Sequence, residues 1–393
     1  MKKHIIISSL LSLIFSFILI SCEEAADVVD IEATDTTPPT ISILSPANGS
    51  IFTDSLVFSC ETTDDVGIEK VELWVDTLNS GSNQYFFTGI YDNSEPYVLE
   101  WNTVALNYGD YNFILRSYDN NGNYTDSDSL ILRKDKMIEL WGEQYSVYST
   151  TEIVFEGENL SGSIPSEIGD FINLEILILS HNNLSGNIPL EIGNLSNLIE
   201  LRLGYNQLTD SIPANIFELT NLTHLYLNDN PGLLGTIPPE IGNLINLRTI
   251  NLWCPGISGT IPPEIGNLSN LVGLFLGSNL IGSIPPEIGN LTNLSMLALN
   301  GNNLTGTIPS EIGNLTSLTK LDLFRNNLTG VIPSEIGNLI NLNHLNLHHN
   351  NLEGIIPESI CNLNSFDITD NNLCPPYPSC IDNVGNQDTS DCN

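Results

Sequence analysis

The stretch Leu174-Glu175-Ile176-Leu177-Ile178-Leu179-Ser180-His181-Asn182-Asn183-Leu184, continuing as Ser185-Gly186-Asn187-Ile188-Pro189, decides the architecture. Its leucines stand at regular places and one asparagine closes the strand-like part. The same frame begins at Thr150, Leu198, Leu222, Leu247, Leu271, Leu294, Leu318 and Leu342, with a truncated copy at Phe366. The period is 24 residues, broken once by 25 and once by 23. Self-similarity at this period is the mark of stacked repeats. Within each copy Leu-x-Leu reads as a short strand with both leucines on one side. Stacked copies make a parallel sheet at about 4.8 Å per strand. No copy can bury its apolar face alone, so neighbours cover one another.

The asparagines Asn182, Asn206, Asn230, Asn279, Asn302, Asn326, Asn350 and Asn371 are expected to satisfy backbone groups where each copy bends inward. Gly-x-Ile-Pro then turns the chain to the convex side, with proline fixing φ. The phrase Leu304-Thr305-Gly306-Thr307-Ile308-Pro309 resembles the plant-type leucine-rich repeat of receptor ectodomains and cell-wall-enzyme inhibitors. The resemblance covers about 150–373 and implies an α/β-type solenoid with a parallel concave β-sheet. No kinase segment follows, so the receptor role is not carried over. Three adjacent copies are irregular: Asn230-Pro231-Gly232 adds a residue, Trp253-Cys254-Pro255-Gly256 puts proline at the asparagine place, and Asn279-Leu280-Ile281-Gly282 drops a residue.

Charge is distributed unevenly over this frame. From residue 150 onward every Lys, Arg and His stands at positions expected to point out of the concave sheet. They are Arg202, Arg248, Lys320, Arg325, His181, His224, His344, His348 and His349. Tyr205, Tyr226, Trp253, Phe275 and Phe324 are interleaved among them. Exposed aromatics and arginines are the residue types of binding hot spots. A column of glutamates (Glu167, Glu191, Glu240, Glu264, Glu287, Glu311 and Glu335) marks another face. The concave face is therefore the expected binding surface for a protein or glycan. His344 and His348 are about 13 Å apart along a strand and cannot chelate one ion together. No metal is expected there.

Both ends carry their own signals. Residues 136–149, with Leu140-Trp141-Gly142, read as a cap over the first copy. Cys361, Cys374, Cys380 and Cys392 read as two disulfides of open pairing in a C-terminal cap, 366–393; zinc is the alternative, and wide spacing in an exported chain favours disulfides. The nine full copies occupy 150–365. At the other end, Lys2 and Lys3 precede an apolar run from Ile5 to Ile20 that is short for a membrane span. Leu19-Ile20-Ser21-Cys22 resembles the bacterial lipobox. That resemblance implies a signal peptide at 1–21, lipidation of Cys22 and anchoring in the bacterial outer membrane, at the cell surface or the periplasmic face. Residues 22–37 are acidic and read as a tether.

Between tether and repeats, residues 38–135 alternate apolar and polar residues at period two and are punctuated by turn clusters. This pattern describes a β-sandwich. Pro38-Pro39-Thr40-Ile41, Asp65-Val66-Gly67-Ile68 and Ser117-Tyr118-Asp119-Asn120-Asn121-Gly122-Asn123 resemble bacterial Ig-like domains. Asp64, Asp65 and Asp119 raise the question of calcium, but turn chemistry accounts for aspartates at such places. Cys60, on an apolar strand face, reads as a buried thiol.

The net charge of −36 from 11 Lys+Arg and 47 Asp+Glu excludes phosphate-backbone binding, which needs clustered cations. No nucleophile elbow, zinc-protease or phosphate-loop motif is present, and no catalytic residue or cofactor is expected. The resulting expectation is a non-enzymatic, membrane-tethered recognition protein. The alternatives are a structural or adhesive envelope protein and an inhibitor of a secreted hydrolase.

Overall fold

The computed structural model describes residues 35–77, 84–363, 365–381, 383–390 and 392. Cys22, the expected signal segment and most of the expected tether lie outside them. The chain divides into two compact units. One holds residues up to Ser50 with Leu56–Asn102 and Tyr111–Leu132, the other Ile51–Ser55, Thr103–Asp110 and Arg133–Asn393.

The first unit is an Ig-like sandwich. Thr40–Ser45, Ser55–Thr63 and Val98–Asn102 make one sheet. Leu130–Lys134, Gly109–Asp119, Ile68–Thr77 and Phe86–Asp92 follow one another in the second. Period-two alternation puts Leu56, Phe58 and Cys60 on the inner face of Ser55–Thr63, all buried. Phe58 meets Phe113 of the opposite sheet with ring centroids 5.3 Å apart. Burial pushes the Cys60 thiol up to about 11, with Asp92 adding to it.

In the second unit every copy inserts the same apolar set. Leu174, Leu177, Leu179, Leu184, Ile188, Ile192 and Leu195 are each at most 1 % exposed. Fully burying such a side chain contributes roughly 1.5–3 kcal/mol before entropy is subtracted. The three-residue strands Ile176–Ile178, Glu200–Arg202 and His224–Tyr226 pair in parallel and in register, and the ladder continues to Phe366–Asp367. A second parallel ladder follows each asparagine, as in Asn183–Asn187 beside Gln207–Ser211. The convex side carries five-residue 3-10 turns, such as Ser310–Asn314 after Pro309, whose cap N–H donates to the Ile312 carbonyl. Proline removes a donor at the start and the next inward leucine follows too soon for α-helical turns. Gly306 stands at φ +73°, where a side chain is strained, and Asp210 fills the equivalent place at +65°.

The asparagine ladder is real but differs from its expected membership. Asn326 Oδ1 accepts from the Leu304 N–H at 3.1 Å. Its Nδ2 donates to the carbonyls of Leu299 at 2.9 Å and Leu323 at 3.0 Å. Asn182, Asn206, Asn230, Asn302, Asn350 and Asn371 repeat this. Asn279 does not: it is exposed and donates only to the Pro255 carbonyl. Nor does the copy at Leu247 lose its ladder contact to proline. Cys254 moves into the slot, its thiol donating to the Leu227 carbonyl at 3.0 Å. Burial pushes that thiol up to about 11.

Both ends of the stack are covered. Met137–Leu140 and Glu143–Ser146 form a hairpin whose Trp141 and Tyr145 rings meet Phe155 at 5.5 and 6.4 Å. At the C-terminus Cys361 pairs with Cys380 and Cys374 with Cys392. There Gln387 acts as the ladder's last amide, accepting from the Leu373 N–H at 2.9 Å and donating to the Ile368 carbonyl at 3.1 Å.

Candidate binding face of the solenoid

The strand register sorts the expected binding residues into rows. One row runs Glu152, Ile176, Glu200, His224, Thr249, Gly273, Met296, Lys320 and His344. The next runs Val154, Ile178, Arg202, Tyr226, Asn251, Phe275, Ala298, Asp322 and Asn346. His181, Tyr205, Arg325 and His349 sit beyond the strands, at positive φ between 53° and 60°, on the rim where each copy bends. Arg248 lies on the opposite rim.

These residues gather in three clusters. At the N-terminal end His181 stacks on Tyr205, ring centroids 4.2 Å apart. Arg202 lies 5.0 Å over the Tyr226 ring while ion-paired to Glu200. Burial holds His224 below its ordinary pKa, opposed by Glu200 and reinforced by Arg202 and Arg248.

The middle cluster belongs to the irregular copies. Here the concave strand does not break at position nine but runs on, giving strands Thr249–Gly259 and Gly273–Gly282. Trp253 and Phe275 are half-buried on this surface. A Cβ on Gly277 would lie 3.0 Å from the Trp253 indole nitrogen, and one on Gly273 would lie 2.8 Å from the Phe275 ring. Two glycines on one strand therefore make room for two aromatic rings to lie down. Aromatic shelves of this kind bury large area at little entropic cost.

At the C-terminal end Phe324 stacks on His348 at 4.7 Å. Three histidines each face a separate carboxylate: His344 and Asp322 at 3.1 Å, His348 and Asp367 at 3.4 Å, His349 and Asp370 at 3.2 Å. Lys320 also reaches Asp322, at 2.9 Å. His344 and His348 thus serve different partners and are not brought onto one centre. Asp367 is held below the usual carboxylate range: burial pushes it up, while Thr369, His348 and His349 outweigh that.

Along the Arg248 rim runs a groove of about 710 Å³. Glu175, Ile199, Thr223, Arg248 and Val272 alternate in it with Asn197, Asn221, Asn246, Asn270 and Asn293. Each of these asparagines donates to a carbonyl one copy back, for instance Asn221 to Ser196 at 2.8 Å and Asn270 to Ile245 at 3.0 Å. Sequence reasoning missed this column. Its signal is an asparagine directly before the first leucine of most copies.

Residues 238–372 match the family described as a leucine-rich repeat region, 170–231 and 221–244 match leucine-rich repeats, and 39–113 match a bacterial Ig domain. The chain is thus an Ig-like domain followed by a leucine-rich-repeat solenoid. Among solved structures it is similar to the plant peptide hormone receptor RGFR1 in complex with RGF2, at 42 % identity and TM-score 0.54, over 57 % of this chain and 36 % of that one. It is similar to the Arabidopsis receptor kinase HAESA in complex with the peptide hormone IDA and the co-receptor SERK1, at 35 % identity and TM-score 0.53, over 56 % of this chain and 38 % of that one. A plant ice-binding protein matches at 29 % identity and TM-score 0.52, over 62 % of this chain and 78 % of that one. The chain spans little more than a third of the length of the two receptors. No curated protein matches it.

Proposed function

We propose that this chain is a non-enzymatic recognition protein whose solenoid binds an extended segment of a protein partner on its concave face. The observation that carries the reading is the aromatic shelf of Trp253 and Phe275 over Gly277 and Gly273. It is an apolar platform in a chain of net charge −36, with Arg248 on the opposite rim of the same copy as Trp253 and Arg202 over Tyr226 toward the N-terminal end. Aromatic and arginine anchors surrounded by polar rim are how interfaces concentrate affinity. The similarity to receptors solved with peptide hormones supports a peptide or protein ligand over a glycan. In this reading Cys22 carries a lipid that tethers the protein to the outer membrane, and the Ig-like domain spaces the solenoid from it. Selection of a displayed random-peptide library on the full chain tests it. Recovered peptides should compete with one another and lose binding to a Trp253→Ala/Phe275→Ala variant. Peptides that bind this variant equally well overturn the reading.

A second reading rests on the outer strand ladder. Ser211, Thr236, Thr260, Ser283 and Thr307, all exposed, stand in consecutive copies directly after the left-handed turn residue, Asp210 in the first and glycine in the others. This is a single-column hydroxyl grid with a spacing of about 4.8 Å from copy to copy. A grid of this kind can order water, and one similar structure is an ice-binding protein. Ice shaping by the full chain, abolished by Thr260→Lys/Thr307→Lys, would favour this reading. Unshaped ice crystals would remove it.

A further inference from the structure

The groove on the Arg248 rim holds two opposite charges that lack partners. Glu175 stands at its N-terminal end and Arg248 near its middle, both exposed. Among the described residues neither is in a salt bridge. Arg202 and Lys320, by contrast, are each paired with a carboxylate on their own strand, Glu200 and Asp322. The charge of Arg248 is felt next door: His224, in the copy before, is held below its ordinary pKa chiefly by burial, and Arg248 is one of the cations that add to it. Glu175 cannot neutralise Arg248, because three steps of the stack, at about 4.8 Å each, put them about 14 Å apart.

The rest of the groove suits an extended chain. Asn221 Nδ2 donates to the Ser196 carbonyl at 2.8 Å and Asn246 Nδ2 to the Thr220 carbonyl at 2.9 Å. These bonds hold each amide in place, while its Oδ1 accepts no hydrogen bond among the described residues. A held amide offers an acceptor to backbone N–H groups at little further entropic cost. Ile199 and Val272 give apolar floor on either side of Arg248. None of the lining residues is aromatic, which leaves a sugar ring no face to stack on. From the copy at Leu174 to the copy at Leu294 the groove runs about 24 Å, the length of about seven extended residues.

We propose that this groove is a second docking surface, separate from the aromatic shelf, for an extended protein segment that carries an acidic and a basic side chain about four residues apart. The acidic side chain meets Arg248 and the basic one meets Glu175. Four extended residues advance about 13 Å, close to the separation of the two charges. An even spacing also puts both side chains on one face of the bound strand.

The test is selection of a displayed library of random octapeptides on the Trp253→Ala/Phe275→Ala chain, which lacks the shelf and keeps the groove. The expected result is a family of binders with Asp or Glu four residues from Lys or Arg. Arg248→Glu in the same bait should weaken these binders about tenfold, and added salt should weaken them too. Glu175→Lys/Arg248→Glu should instead bind peptides with the two charges exchanged, a gain that a misfolded variant would not show. No enriched family, or binders indifferent to Arg248→Glu, would overturn the proposal and leave the reading of the shelf untouched.

Discussion

The copies beginning at Leu198 and Leu318 differ instructively from those beginning at Leu247 and Leu271. The regular copies end their concave strand after three residues and bend through a left-handed residue, Tyr205 or Arg325. The asparagine that follows serves three backbone groups of its own and neighbouring copies. The irregular copies keep the strand going for 11 and 10 residues. They replace or expose the asparagine and carry the two rings that lie over glycine. Regularity serves the stack, since the amides of successive copies share carbonyls, as Asn302 and Asn326 share that of Leu299, and each covers one buried N–H of the copy before it. Departure from regularity frees surface that the stack would otherwise dictate. The molecule has concentrated its departures in adjacent copies, where Trp253 and Phe275 lie over Gly277 and Gly273.

The largest effect that separates the two kinds of copy is on stability. Asn326→Ala would orphan the buried Leu304 N–H, while the carbonyls of Leu299 and Leu323 each keep one donor, from Asn302 and Asn350. At about 1–3 kcal/mol for one buried unsatisfied group, it should cost about 2 kcal/mol, read from the urea midpoint. Asn279→Ala, at the matching sequence position, should cost under about 0.5 kcal/mol. Equal losses would mean that Asn279 belongs to the ladder after all.

A smaller effect is expected at Cys254. Cys254→Ala removes one thiol bond and leaves a small void, so about 1 kcal/mol is expected. Because burial holds this thiol protonated up to about 11, iodoacetamide at pH 8 should leave it unmodified until the chain is unfolded. Mass spectrometry of the native and denatured protein checks this. Rapid native alkylation would show that the irregular copies are open rather than packed.

The smallest effect is electrostatic and lies in the copy beginning at Leu222, whose concave strand still ends after three residues. His224 has a folded pKa lowered below its ordinary value, chiefly by burial. Between the two values the unfolded chain binds the extra proton. Stability is therefore full above the unfolded value near 6.5 and declines as pH falls toward the folded one. His224→Gln should flatten the denaturation midpoint between pH 5 and 7. An unchanged slope would contradict this account of His224.

Much of this fold was legible because a repeat states its rule many times. The inward leucines and the Ig-like strands follow from period and alternation, and the cap disulfides from an even count of cysteines, whereas the second strand ladder after each asparagine did not show in the spacing. What was not legible depends on register. A one-residue insertion or deletion decides whether Cys254 or Pro255 fills a slot, and linear spacing counts the wrong one. Gly273 and Gly277 looked like unremarkable variable positions, because their meaning is the space they leave for rings from Phe275 and the preceding copy. Glu175 and Arg248 were legible as charges, while only the folded chain places them in one groove.

The central claim is that recognition resides in the irregular copies. The direct measurement compares the affinity of a ligand selected on the full chain for two double variants. Trp253→Ala/Phe275→Ala disables the shelf, and His181→Ala/Tyr205→Ala disables the stacked pair of the regular copies. The account predicts that the first weakens binding by about 30-fold or more, as loss of a hot spot does, and the second by less than about threefold. The opposite order would contradict it and place recognition on the rim of the regular copies.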